Sequence, residues 1–359
     1  MSSTPLPAPI RTLKAAGQQV WLDDLSRALV RSGGLFRAIE EWGVTGVTSN
    51  PAIVARAVLG DSGYDLTIAR CADRGMDAEG IALELAVEDV SAAADLLRST
   101  WIETDGGDGW VSIQLSPRLA NDATGSFDAA LALHQRVGRP NVLIKMPATK
   151  TGLAAIEEVL VRGVPVTVTL LLTPAHVALA AEAYLRALER RAASGESLDV
   201  RSYAALYVSR WDQDCPTGGA DRKGTLGIAV ADAALAAHGS VFSGEGWRAL
   251  AERGARPQTL LFASTLSRDP ALGAAHYVER LVAKGTADTV PPAALEAFAT
   301  EGVVQRPLSG DLHDPGAPVR GIDINVRGDA LQSQAAFGFA TAWEDLLAEL
   351  ERRTGPTVR

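Results

Sequence analysis

Several polar side chains sit inside segments that are otherwise apolar, and their types point to carbonyl chemistry. Lys145 interrupts "NVLIKMPAT", Asn141 to Thr149. A lysine is seldom fully buried without a partner, and this stretch holds no acidic residue. A structural salt bridge or a side chain snorkelling to water is the ordinary explanation. Yet the chain has only five lysines against 29 arginines, and arginine serves a salt bridge better. Lysine differs in that burial can strip its proton. From a reference pKa of about 10.4, the neutral amine at pH 7 costs about 4.6 kcal/mol. A neutral amine can attack a ketone and form a Schiff base.

Other polar residues recur in or just after apolar runs: Asp23, Asn50, Gln114, Thr167, Thr169, Tyr207, Arg210 and Ser264, with Arg268 a little further on. All but Ser264 have a plainer explanation. Asp23 could cap the helix that opens with "DLSRALV", but "WLDDLSR" offers a second aspartate, so Asp24 is expected to cap while Asp23 faces inward. Asn50 precedes Pro51 and could simply cap the next helix. Gln114 could make a structural hydrogen bond, and Tyr207 could be a core tyrosine with a satisfied hydroxyl. Thr167 and Thr169 suit any strand. Arg210 and Arg268 could be surface arginines. What weighs against separate explanations is the recurrence of polar residues through successive strands.

The segments that must position these residues alternate in kind. Eight strand candidates are "VWLD" (Val20–Asp23), "GVTS" (Gly46–Ser49), "VSIQLS" (Val111–Ser116), "VLIKMP" (Val142–Pro147), "PVTVTLLLT" (Pro165–Thr173), "AALYVSR" (Ala204–Arg210), "TLLFAST" (Thr259–Thr265) and "ADTV" (Ala287–Val290). Several are apolar at consecutive positions, as parallel strands covered on both faces are. On this reading Tyr207 and Arg210 lie in strand six, and Ser264 ends strand seven. Helical stretches lie between, with Asp77 and Thr173 as caps, Pro174 at the first helical position, and Thr151 to Gly163 bounding another. Eight β units alternating with helices predict a (β/α)8 TIM barrel, whose functional residues gather at the C-terminal strand ends.

The chain is expected to be one domain over 1–359, with 300–359 as a C-terminal extension ending in the helix "LQSQAAFGFATAWEDLLAEL". "WIETDGGDGW" and the Gly/Pro/Asp-rich stretch 300–320 do not fit the simple barrel pattern. A net charge of −9 without a basic block argues against nucleic acid or an anionic membrane as partner. Two distant cysteines, Cys71 and Cys215, form neither a disulfide framework nor a zinc spacing, and five scattered histidines offer no metal pair. No GxGxxG follows the first strand and no P-loop occurs. No secretory leader or membrane span is read, so a cytoplasmic location is expected. The partner expected is a small molecule; homodimer and monomer both stay open.

At this point the residues resemble a family. "GVTSNPAI" (Gly46–Ile53) and "NVLIKMPAT" resemble the signature segments of transaldolases, and "VWLDDLSR", "VSIQLSPRLA", "YVSRWD" and "LLFASTLSRDP" follow in the same order. The resemblance is to the longer bacterial type and runs roughly from residue 18 to residue 350. It implies a barrel with a C-terminal helical extension, a sugar or sugar phosphate as substrate, and no metal or organic cofactor. By the same resemblance Lys145 is the Schiff-base lysine, and Asp23 takes and returns the proton of the C4 hydroxyl. Asn50 holds the dihydroxyacetone part, and Thr169 orients the catalytic water. Arg210 binds phosphate, with Ser264 and Arg268 at a second contact.

Three pocket positions depart from that pattern. Gln114 stands where a glutamate is usual, Thr167 where an asparagine is usual, and Ala205-Leu206-Tyr207 where Ser-x-Phe is usual. Gln114, Ala205 and Tyr207 resemble instead the fructose-6-phosphate aldolases, in which a tyrosine assists the proton transfers. The implied activity is therefore transfer of a dihydroxyacetone unit within the pentose phosphate pathway. Three alternatives stand beside it: release of free dihydroxyacetone, action on an unusual carbonyl substrate in secondary metabolism, and an inactive barrel used for binding.

Overall fold

The computed structural model describes residues 5–213, 223–310 and 322–355. Its strands are β1 (Gln19–Asp23), β2 (Gly46–Thr48), β3 (Val111–Gln114), β4 (Val142–Pro147), β5 (Val166–Leu171), β6 (Ser202–Tyr207), β7 (Thr259–Ala263) and β8 (Ala287–Val290). Each pairs in parallel with the next, and β8 returns to β1, so the sheet closes as the expected barrel. Helices lie around its outside between successive strands, except between β7 and β8, which are joined by turns among the described residues.

Burial on two sides explains why these strands are apolar at consecutive positions. Outward residues such as Val142, Ile144, Val166 and Phe262 pack in one cluster with the surrounding helices. Inward residues such as Trp21, Leu143, Tyr203 and Leu261 form a second cluster along the axis. The loop containing "WIETDGGDGW" joins this inner cluster at the N-terminal end of the barrel. Trp21 Nε1 donates to Asp108 Oδ1 at 3.0 Å, Trp110 Nε1 donates to Gly106 O at 3.0 Å, and Trp21 stacks on Tyr203 at 4.5 Å. Gly46 is required beside that ring, because a Cβ there would lie 2.3 Å from the Trp21 indole.

Helix starts lie where strands end, and short polar side chains satisfy their free N–H groups. Asn50 caps through Ile53 N, Asp77 through Gly80 N, and Thr173 through His176 N. Two expected caps are corrected. Ser26, not Asp24, caps the helix Arg27–Arg31, while Asp24 pairs with Arg56. Thr149, not Thr151, caps the helix Lys150–Val161, which leaves β4 only two residues earlier. A further correction concerns Arg210. β6 stops at Tyr207, and Arg210 opens a four-residue helix, Arg210–Gln213. Likewise β7 stops at Ala263, and Ser264 follows it with φ of 58°.

The helix Ile324–Thr354 folds back over the barrel. Its Trp343, Leu346, Leu347 and Leu350 pack on the helices Pro51–Gly60 and Ala78–Leu96. Its first turns reach the strand ends: Gln332 Nε2 donates to Ala148 O and Leu170 O at 3.2 and 2.8 Å. A Cβ on Gly328 would lie 2.0 Å from Thr173 Cγ2, so the approach is as close as glycine permits. Among the described residues no single helix is long and apolar enough to cross a membrane. Cys71 is buried and free, whereas Cys215, His313 and residues 311–321 of the Gly/Pro/Asp-rich stretch lie outside the described residues.

Candidate active site

Residues paired in register lie on the same face of a sheet, so register tells which polar side chains share the barrel interior. Gln114 pairs with Lys145, and Lys145 with Thr167. Thr169 pairs with Pro147 on the same face, and Asp23 pairs with Thr48. Tyr207 pairs with Ala263. The inward positions near the C-terminal strand ends are therefore polar, and a pocket of about 470 Å³ opens above them. A cavity of that size suits a small ligand.

Lys145 and Asp23 lie at the pocket floor. Lys145 is only 4% exposed, and its Nζ donates to Ser49 O at 2.9 Å. Burial lowers its pKa below the usual lysine range, and the charge of Asp23 opposes that shift. Asp23 keeps some accessibility to the pocket, but loss of water still dominates and raises its pKa, opposed first by Lys145 and then by the Thr48 hydroxyl. Both shifts favour the uncharged forms, which in Lys145 is the nucleophilic amine.

Tyr207 also lines the pocket. Its hydroxyl lies 3.2 Å from Thr169 Oγ1. Burial pushes it up to about 12, so it carries its proton throughout the neutral range. Gln114 Nε2 donates to the carbonyl of Lys145 at 3.1 Å, which leaves the buried Oε1 without a protein partner. Thr167 lies deeper: its hydroxyl bonds Ser112 Oγ at 2.8 Å, and it does not line the pocket. Thr169 and Gln114 face the axis without bordering the open space.

Asn50 borders the pocket and caps a helix at the same time. The cap engages its Oδ1, and the two N–H donors of its amide belong to the other nitrogen atom. Arg210 and Arg268 line the pocket, and no carboxylate of the described residues lies in ion-pair distance of either. Ser264 Oγ is 2.9 Å from Ser209 Oγ, which in turn accepts from Gln213 Nε2 at 3.0 Å. A serine with positive φ is uncommon and marks a backbone held by its surroundings.

Lining residues that sequence reasoning missed come from every side. Thr48 and Thr289 read as ordinary strand threonines, Ser209 lies within the sixth strand candidate without being singled out, and Gln213 is not singled out either. Arg56 lies a turn into the helix after Asn50. Phe339, from the C-terminal helix, lines the pocket beside Tyr207, with ring centroids 6.4 Å apart. The only available signal for Phe339 was an aromatic on the last helix, which says nothing of where that helix lands. Among the described residues no three His, Cys, Asp or Glu side chains gather as a metal site would need.

Comparison with known proteins agrees with this arrangement. The model of the transaldolase/fructose-6-phosphate aldolase family matches residues 20–350. A transaldolase of Mycobacterium ulcerans is 39% identical over 354 residues, covering 94% of this chain and 95% of its own. A transaldolase of Thermobifida fusca is 37% identical over 359 residues, with 95% and 96% covered. Transaldolase 1 of Streptomyces avermitilis is 38% identical over 353 residues, with 94% and 93% covered. With a closed eight-stranded barrel, a buried lysine on β4 and similarity along nearly its whole length, this chain belongs to the transaldolase/fructose-6-phosphate aldolase family.

Proposed function

We propose that the protein is a transaldolase, a Schiff-base transferase that moves a dihydroxyacetone unit from a keto sugar phosphate to an aldehyde. The observation that carries this reading is Lys145, buried beside Asp23 at the floor of an arginine-lined pocket. The neutral Lys145 amine attacks the C2 carbonyl, and the carbinolamine loses water to give an iminium. Tyr207, which borders the pocket, gives a proton to the departing hydroxyl so that it leaves as water, and regains one when the product iminium is hydrolysed; Thr169 holds the Tyr207 hydroxyl, and the unpartnered Gln114 Oε1 is an acceptor for water next to the site.

Asp23, as carboxylate, then takes the C4 hydroxyl proton. The C3–C4 bond breaks, its electrons pass to C3, and the iminium becomes an enamine on Lys145 while the aldehyde part leaves. The enamine attacks an acceptor aldehyde, and Asp23 returns its proton to the new alkoxide. Water then releases the product and restores the amine. Asn50 holds the hydroxyl groups of the dihydroxyacetone part through its amide. Arg210 and Arg268, with Ser264, take the phosphate of the aldehyde part, a recognition suited to guanidinium groups.

Gln114 cannot shuttle protons as a carboxylate would, which makes the fate of the enamine the point to test. Product analysis with fructose 6-phosphate, with and without erythrose 4-phosphate, decides it. Transfer to the acceptor, with little free dihydroxyacetone, is expected. Free dihydroxyacetone as the main product in both cases would instead make the enzyme an aldolase, and no turnover at all would remove this donor.

A further inference from the structure

Asp23 stands at one end of a short row of hydroxyl groups supplied by β2 and β8, the two strands that flank β1. Thr48 Oγ1 lies 2.9 Å from Asp23 Oδ1 and 2.6 Å from Thr289 Oγ1. β1, which carries Asp23, pairs with β2 on one side and β8 on the other, so Thr48 and Thr289 approach it from both flanks. Both threonines are almost fully buried and line the pocket. Thr265 Oγ1 donates to the Thr289 carbonyl at 3.3 Å and helps to hold that strand end.

The chemistry of the groups sets the direction of the row. A hydroxyl has one proton, and a carboxylate only accepts. Thr48 must therefore donate to Asp23, which leaves its oxygen to accept, and Thr289 must be the donor to Thr48. We propose that Thr289 is a positioning residue for the reaction: acting through Thr48, it fixes Asp23 Oδ1 as a permanent acceptor and leaves Oδ2 as the oxygen that takes and returns the substrate proton. This rests on the reading of Asp23 as the base given above.

The proton balance is simple. When Oδ2 takes the C4 hydroxyl proton, Oδ1 becomes the carbonyl oxygen of the acid and still accepts from Thr48. The row needs no reversal during the cycle, so the carboxyl group does not turn between taking the proton and returning it. Successive hydroxyl donors polarise one another and strengthen the last bond, and a donor to the charged form favours that form. Lys145 from β4 and Arg56 from the helix after β2 act in the same sense, whereas the adjacent Asp24 opposes it. Tyr207 on β6 and Asp288 on β8 also lie in electrostatic reach of Asp23, and burial raises the pKa of both.

The test uses the full chain and four variants: Thr289→Val, Thr289→Ser, Thr48→Val and Asp23→Asn. Thermal melts identify any variant that fails to fold. The readout is kcat and KM across pH for transfer from fructose 6-phosphate. Thr289→Val, nearly isosteric, is expected to lower kcat about five-fold with little change in KM, the effect of one weakened hydrogen bond. It should also move the acidic limb of the kcat profile to higher pH, because Asp23 loses support for its charge. Thr48→Val should shift the limb further in the same direction, and Thr289→Ser should restore both kcat and profile. A native pH profile in Thr289→Val, or a loss that serine does not restore, would overturn the proposal. If Asp23→Asn retains cleavage, the base assignment itself falls. If Asp23→Asn is inactive while Thr289→Val keeps the native profile, only the role of Thr289 falls.

Discussion

Lys145 and Asp23 meet only in three dimensions, and burial moves each toward its uncharged form while each charge holds the other back. This coupling gives a prediction with a definite sign. Asp23→Asn removes the charge that raises the lysine pKa, so the amine becomes neutral at lower pH. The variant should still form a borohydride-trapped adduct, with its pH midpoint moved down, while cleavage falls by about 10²–10⁴-fold. An unmoved or raised midpoint would contradict the coupling. Tyr207 makes a second case. Burial pushes its pKa up to about 12, which under the proposed mechanism leaves it a proton donor in the neutral range. Tyr207→Phe should slow adduct formation about 10-fold or more in rapid-quench measurements while leaving Lys145 able to trap. Lys145 was legible in the sequence because a lone charge in an apolar strand is anomalous. Thr48 and Thr289 were not, because threonine in a strand is what β propensity alone would give.

At the scale of the elements, the strands were legible where both faces are buried. β4 and β8 have the bounds read from the sequence, Val142–Pro147 and Ala287–Val290. β6 does not, because Val208 continues the apolar run after the ladder stops at Tyr207, and the chain then turns into the helix that carries Arg210. Hydropathy reports burial, and a buried turn reads like a strand. The cap of the next helix after β4 shows the same limit. Thr149 and Thr151 are equally good cap types, and only the close packing of Gly152, where a Cβ would lie 2.1 Å from Pro147 O, shows how tightly the chain turns there. The C-terminal helix is tied to β5 and to the end of β4 by Gln332, whose amide holds carbonyls next to Thr149 and Thr169. One of these belongs to Leu170, which has φ of 63° and lies where the β5–β6 register shifts. Gln332→Ala should lower unfolding free energy by about 1–2 kcal/mol in urea titrations. An unchanged midpoint would mean that Leu170 is held by its packing alone.

At the scale of the whole molecule, the barrel carries a burden that catalysis does not use directly. Asp288 faces outward from β8, opposite in sense to Thr289, and is fully buried; burial pushes its carboxyl up to about 8. Its folded pKa stands above the unfolded value of about 3.9. Its contribution to stability is therefore fully present below about pH 4 and is lost as pH rises through about 8, with a slope near 1.4 kcal/mol per pH unit. The difference in stability between the native chain and Asp288→Asn should change with that slope between pH 5 and 8, and parallel curves would refute it. The closed barrel could be anticipated from eight alternating units. The place of Phe339 in the pocket lining could not, since nothing in local sequence says over which strands the last helix folds. The most direct test of the central claim is the mass of the whole protein after incubation with fructose 6-phosphate and borohydride. The account predicts one reduced dihydroxyacetone adduct per chain, mapped to the peptide containing Lys145 and absent in Lys145→Ala. No adduct on a chain that turns over its substrate, or an adduct on another lysine, would contradict it.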